Sequence, residues 1–241
     1  MNYEDEHGLL VEEYLIRGTE VKSELLKKFS VLEDFERELP KYLGYVYARI
    51  PTEIWDKTSV RVDLQRQVAR NITTYIEKSV DIRRKGLGLT ILGDYSSYKT
   101  YNLYIVAKCL VDKGFTVFTL TLDEFLFFLR ETRDSKILKN ELLSRIKEPD
   151  FVFLLDVPEQ IEMNTTSQDL LALLSLRLSR SLPVIFTVNS NYTDIQSIPI
   201  VTLLGRLLLP FMRVNKLIII TDPEGINLGN IVEEKWGGLS V

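Results

Sequence analysis

Residues 93–100 read GDYSSYKT. A phosphate-binding loop has the form G-x-x-x-x-G-K-[ST], and Gly93, Lys99 and Thr100 stand at three of its four fixed places. Tyr98 replaces the second glycine. The chemistry behind the pattern is specific. Backbone N–H groups of the loop and of the helix start take phosphate oxygens. The lysine reaches the outer phosphates, and the threonine hydroxyl serves a magnesium ion. Glycines leave room for the phosphate and reach unusual backbone angles. Alone, the fragment also fits a helix start with an ordinary lysine, so its surroundings decide.

The surroundings favour a nucleotide loop. LGLTILG (87–93) is a short apolar strand leading into it, and KTYNLYIVAKCLVDKG (99–114) is a helix that stops at Gly114. Strands and helices then alternate. FTVFTLTL (115–122) is a strand rich in β-branched and aromatic residues. DEFLFFLRETRD (123–134) is a helix with Asp123 and Glu124 in its first turn, where they complement the dipole. SKILKNELLSRIKE (135–148) is a helix, FVFLLD (151–156) a buried strand and SQDLLALLSLRLSRS (167–181) a helix. PVIFTVNS (183–190) is a strand, IVTLLGRLLLP (200–210) a helix and VNKLIII (214–220) a last strand. This order predicts an α/β domain with a central parallel sheet.

Upstream the character changes. VEEYLIRG (11–18) and EVKSELLKKFSVLEDFERELPKYL (20–43) carry apolar residues at helical spacing, punctuated by Pro40 and Pro51. They predict a helical N-terminal module over residues 1–50, either a flap on the main domain or a partner-binding arm, followed by a P-loop domain over 51–241. SVRVDLQRQVARNITTYIEKSV (59–80) reads as one amphipathic helix and DIRRKGLG (81–88) as a basic turn.

Composition narrows the function classes. The 241 residues are 45% apolar and 27% charged, with 30 Lys and Arg against 34 Asp and Glu, a net charge of −4. No overall basic field draws the chain to nucleic acid, so any such contact needs a local patch. The candidates are Arg83, Arg84 and Lys85, and the pair Arg177 and Arg180, which as i, i+3 residues share a helix face; a solvated face explains them equally. The single cysteine, Cys109, suits a core position in a reducing compartment. The acidic start has no signal-peptide pattern, and charges and Pro210 interrupt the most apolar run, LLGRLLLPFMRVNKLIII. The expectation is a soluble cytoplasmic protein with no membrane segment.

Two further strand ends complete the candidate site. Asp156 ends an apolar strand, at the sheet edge where open α/β sheets bind ligands, and is placed to hold magnesium; it also fits a capping aspartate. Asn189 ends the next strand, placed to contact a γ-phosphate or attacking water, or to make a turn. Arg206 lies on an apolar helix, where it reaches a phosphate on a neighbouring subunit or snorkels to solvent.

Taken together, IPTEIWDKTS (50–59), VARNITTYIEK (68–78), the run from KGLG to LFFLR (85–130), FVFLLDVPE and the later strands resemble the DnaC/DnaI/IstB group of AAA+ ATPases over roughly residues 50–220. The resemblance implies a small partner-binding region followed by an AAA+ domain. It places Gly93, Ser96, Ser97, Tyr98, Lys99 and Thr100 in the nucleotide loop, Asp156 with Thr100 at the metal, and Asn189 and Arg206 in catalytic positions. It implies ATP or ADP with Mg2+, a hexameric replicative helicase as partner, single-stranded DNA, and self- or hetero-oligomers. Two departures stand out. Ser96 and Tyr98 replace family glycines, and Val157 replaces the acidic residue that usually serves hydrolysis. The substitutions point to a helicase loader that binds nucleotide with weak or no hydrolysis. A nucleotide-independent AAA+-fold adaptor, a competent ATPase and an IstB-like transposition helper are the alternatives.

Overall fold

The computed structural model describes residues 18–23, 32–58, 66–93, 98–131, 136–158, 174–189 and 215–220. Five strands form one parallel sheet: β1 (Gly88–Gly93), β2 (Val117–Thr121), β3 (Phe151–Pro158), β4 (Val184–Asn189) and β5 (Asn215–Ile220), in the spatial order β2-β3-β4-β1-β5. Parallel strands covered on both faces need continuous apolar runs. β1 and β4 meet that demand, being buried along their whole length. The helices are α1 (Leu32–Tyr47), α2 (Arg66–Glu77), α3 (Ser79–Lys85), α4 (Lys99–Asp112), α5 (Leu122–Glu131) and α6 (Lys136–Lys147), with further helical residues at 18–23 and 174–179.

The sheet separates two cores, and alternation along the strands assigns residues to each. Leu89, Ile91, Phe151, Phe153 and Ile185 face α1, α2 and α4, where they meet Tyr45, Ile72, Leu103 and Leu110. Leu92, Val152, Leu154, Phe186 and Val188 face the other way, against Phe125 of α5 and Leu142 of α6. α4 ends as its sequence requires. Gly114 takes φ +85°, its N–H donates to Val111 O and that of Phe115 to Leu110 O, closing the last carbonyls.

α1 belongs to the first core. Tyr42, Tyr45 and Val46 are buried in it, the Tyr45 hydroxyl donates to Asp112 of α4, and Lys108 Nζ donates to the same carboxylate at 2.9 Å. The following segment covers the β2 edge. Thr119 donates its N–H (3.2 Å) and its hydroxyl (2.7 Å) to Ala48 O, which hides an edge that would otherwise pair with another chain.

Three local expectations change. Pro40 lies inside α1 without ending it; packing of Tyr42, Tyr45 and Val46 outweighs the missing N–H bond. The amphipathic stretch from 59 is not one helix to 80: α2 stops at Glu77, Lys78 leaves helical geometry at φ −91°, ψ 16°, and residues 59–65 lie outside the described residues. DIRRKG is not a turn but most of α3, which ends only at Gly86 with φ +67°. The expected helix over 200–210 lies outside the described residues, as do residues 1–17 and 221–241. Among the described residues no helix is long and apolar enough to cross a membrane.

Candidate nucleotide site

The site lies at the carboxyl ends of three neighbouring strands. Asn189 at the tip of β4 is in register with Gly93 of β1 on one side and Pro158 of β3 on the other. Strand order reverses here. The chain leaves β1 for the far strand β2, walks back through β3 and β4, and crosses β1 to reach β5. Such a switch point opens a crevice at the strand tips, and α4 points its N-terminus into it.

Tyr98 precedes α4 and takes the left-handed conformation, φ 51°, ψ 16°. That conformation suits glycine and costs an L-residue about 1–2 kcal/mol. Two hydrogen bonds to the Tyr98 carbonyl hold it, from the Asn102 backbone N–H and the Asn102 side-chain amide, both at 3.0 Å. Tyr98 is 46% exposed. Lys99, the next residue, is buried at 2% exposure.

The Thr100 hydroxyl donates to Asp156 Oδ1 at 2.8 Å, joining the first turn of α4 to β3. A β-bulge makes this contact possible. Leu154 pairs with Phe186 and Val157 with Val188, so Leu155 and Asp156 together oppose Thr187. Asp156 takes φ +54° at the bulge, and its N–H donates to Thr187 Oγ1 at 2.6 Å. In an unbroken strand Asp156 would follow Val152 and Leu154 onto the α5 face. The bulge turns it to the α4 face and sends Val157 into the second core, where it is 1% exposed.

Asn189 is 8% exposed, and its Oδ1 is buried without a hydrogen-bond partner among the described residues. A buried orphan acceptor carries a desolvation cost that a donor arriving at the strand tips would relieve. Gly93, Tyr98, Lys99, Thr100, Asp156 and Asn189 therefore converge on one edge. Ser96, Ser97 and Arg206 lie outside the described residues.

The donor set fits a magnesium ion held jointly with phosphate. Mg2+ takes hard oxygen ligands and characteristically uses one or two from protein, the rest from phosphates and water. Thr100 Oγ1 and the Asp156 carboxylate supply two such oxygens, and no cluster of three metal-ligating side chains forms among the described residues. A cavity of about 300 Å3 one turn along α4 is lined by Arg49, Thr52, Glu53, Tyr104, Thr119 and Glu124. Arg49 is already ion-paired with Glu124 at 2.9 Å. Burial, then the carboxylates of Glu124 and Asp156, push the Tyr104 phenol up to about 12. Two carboxylates against one guanidinium give this cavity a negative balance of charge.

The architecture has close counterparts among solved structures. The DnaC helicase loader superposes with a TM-score of 0.58 at 17% identity, covering 70% of this chain and 99% of that one. DnaI superposes with a TM-score of 0.54 at 23% identity, covering 72% and 92%. The fold is that of a DnaC/DnaI-type AAA+ P-loop domain. AMPPCP-bound DnaA from Aquifex aeolicus shares the AAA+ fold with a TM-score of 0.55 at 17% identity, covering 78% of this chain and 56% of that one. No protein-family model matches the sequence, and no curated protein matches it.

Two arginines take roles other than those their spacing suggested. Arg177 is fully buried and donates to the carbonyls of Ile146, Pro149, Asp150 and Pro183 at 2.8–3.2 Å. It ties together the segments entering β3 and β4 at the amino ends of the strands, and its burial leaves no guanidinium surface for DNA. Arg83 bonds Asp150 at 2.8 Å and is half-buried, whereas Arg84, bonded to Asp81 at 2.8 Å, Lys85 and Arg180 are exposed. Cys109 packs against the first core, and burial pushes its thiol up, as suits a core residue.

Thr187 was missed in the sequence. Its signal is a hydroxyl inside the apolar strand VIFTVN: a fully buried hydroxyl must find a partner, and this one accepts from the Asp156 backbone.

Proposed function

We propose that this chain is a helicase-loader-like AAA+ protein of DNA replication that binds ATP or ADP with Mg2+ and hydrolyses it slowly or not at all. The Thr100–Asp156 contact beside buried Lys99 carries the reading. It sets a hydroxyl, a carboxylate and an ammonium at a helix N-terminus on the sheet's switch point, the combination needed to hold a metal–phosphate group. In this reading Lys99 neutralises the outer phosphates, Thr100 and Asp156 hold the metal, and Asn189 Oδ1 accepts from water near the terminal phosphate. Arg206 would act on the nucleotide either of a neighbouring subunit or of its own.

Weak hydrolysis follows from what stands after Asp156. Val157 supplies no proton acceptor, and losing a catalytic base costs 10²–10⁴-fold in rate. Residues 1–50 would engage a hexameric replicative helicase; the likeness to the DnaC helicase loader supports a helicase partner. Arg84, Lys85 and Arg180 are the exposed candidates for single-stranded DNA, and the protein would act in the cytoplasm.

Thermal unfolding with and without ATP and magnesium, beside Lys99→Ala, tests the nucleotide reading. A ligand present at about 100 times its dissociation constant adds roughly 2.7 kcal/mol. A midpoint that rises in the parent chain and not in Lys99→Ala supports the proposal. If neither protein shifts, the chain is an AAA+-fold adaptor without a nucleotide role.

A further inference from the structure

We propose that Thr187 is the positioning residue of the metal site, acting through Asp156; the metal role of Asp156 rests on the nucleotide reading above. The phase of β3 carries the argument. Phe151, Phe153 and Leu155 face α4, whereas Val152 and Leu154 face α5. Continuing that alternation would put Asp156 beside the second core and Val157 under α4. The bulge inverts this, because Leu155 and Asp156 share Thr187 as their opposite residue.

A bulge leaves one N–H without a ladder partner. Here that group is the Asp156 N–H, and Thr187 Oγ1 accepts it at 2.6 Å from a fully buried side chain. The same bond holds Asp156 at φ +54°, a conformation an aspartate leaves readily unless its surroundings enforce it. Thr187 bonds the backbone N–H of Asp156 rather than its carboxylate. Its hydroxyl fixes the backbone that aims the carboxylate at Thr100. Without it, the regular register becomes the way to satisfy the Asp156 N–H, and the carboxylate turns away from α4.

Three variants test this. Thr187→Val and Thr187→Ala remove the acceptor, with the alanine as the smaller replacement should the valine misfold. Thr187→Ser keeps it. Backbone hydrogen exchange at Asp156, read without nucleotide, is expected to be slow in the parent and in Thr187→Ser. It is expected to be about tenfold faster in the valine and alanine variants, the loss of roughly one hydrogen bond, with Phe153 unchanged. The magnesium-dependent part of any ATP-induced rise in melting temperature is expected to vanish in the same two variants and to survive in Thr187→Ser. Unchanged Asp156 exchange on removal of the hydroxyl, or a serine variant that behaves like valine, overturns the assignment. If the parent gains nothing from ATP and magnesium, the nucleotide reading fails, and the exchange measurement still decides what Thr187 does.

Discussion

Thr100 donates to Asp156 Oδ1 at 2.8 Å across 56 residues of sequence, tying the first turn of α4 to the bulge of β3. The two groups meet because the sheet's order brings the β1 and β3 tips to either side of Asn189. A metal bound by this pair would be held by one residue of α4 and one of β3.

Thr100→Val removes the hydroxyl and keeps the shape. The isolated protein should lose about 1 kcal/mol, the worth of one partly buried hydrogen bond. The stabilisation by ATP should become insensitive to magnesium, while binding through Lys99 persists. Melting curves with ATP in magnesium and in EDTA check both.

Tyr98 stands where a glycine is expected, yet its backbone takes the left-handed conformation and the residue is 46% exposed. Tyr98→Gly should therefore change ATP-induced stabilisation little, and global stability by no more than about 1 kcal/mol. Tyr98→Val should be worse than either, because a β-branched residue resists φ above zero. Loss of the ATP response in Tyr98→Gly would mean that the ring itself contacts nucleotide.

Arg177→Leu strips four carbonyls of their donor in a dry part of the fold. The expected loss is about 3–5 kcal/mol, the scale for breaking a buried charged network. Arg180→Ala, on an exposed position, should stay within about 0.5 kcal/mol. Urea unfolding separates the two. Equal effects would remove Arg177 from its structural role.

These results show which parts of the molecule local sequence can carry. β1, β4 and the first residues of β3 are legible because parallel strands buried on both faces must be apolar throughout. The end of α4 is legible because Gly114 writes its conformation into one residue. Lys99, Thr100, Asp156 and Asn189 are legible as residues at strand and helix ends, which is where the structure puts them. The bulge is not legible: FVFLLDV looks the same with or without it, and only the pairing with β4 decides which face Asp156 and Val157 take. Arg177 is misread for a similar reason. Its i, i+3 relation to Arg180 is real, but three of the four carbonyls it binds belong to Ile146, Pro149 and Asp150, far away in sequence. Gly88 is a third case. A Cβ there would lie 2.2 Å from Asn215 Oδ1 and from Val184 O, a crowding set by strands far apart in sequence.

Asp150 supplies a pH signature. Partial burial opposes its charge, but hydrogen bonds from the Thr116 amide and hydroxyl and from Arg83 hold its carboxyl below the ordinary range. A carboxylate with a depressed folded pKa stabilises above its unfolded pKa, and that contribution is lost as pH falls through the folded value. Asp150→Asn should thus melt earlier than the parent at neutral pH. The gap should close only below about pH 4, the unfolded value. A gap independent of pH would mean that the hydrogen bonds, not the charge, carry the effect.

Val157 offers the sharpest test of why hydrolysis should be weak. Were the missing acid a matter of side chain alone, Val157→Glu would create an ATPase. The bulge says otherwise, since position 157 points into the second core with Leu92, Leu154 and Val188 rather than toward α4. A glutamate there is buried among apolar groups, which should cost about 3 kcal/mol or more. The expected variant is destabilised, regains stability as the pH is lowered and the new carboxyl protonates, and hydrolyses ATP no faster than the parent. Circular dichroism melts across pH and a phosphate-release assay on the same preparation measure both. A stable Val157→Glu with a clear gain in ATP turnover would show that position 157 faces the nucleotide after all, and that the absence of an acid, not the turn of the strand, limits hydrolysis.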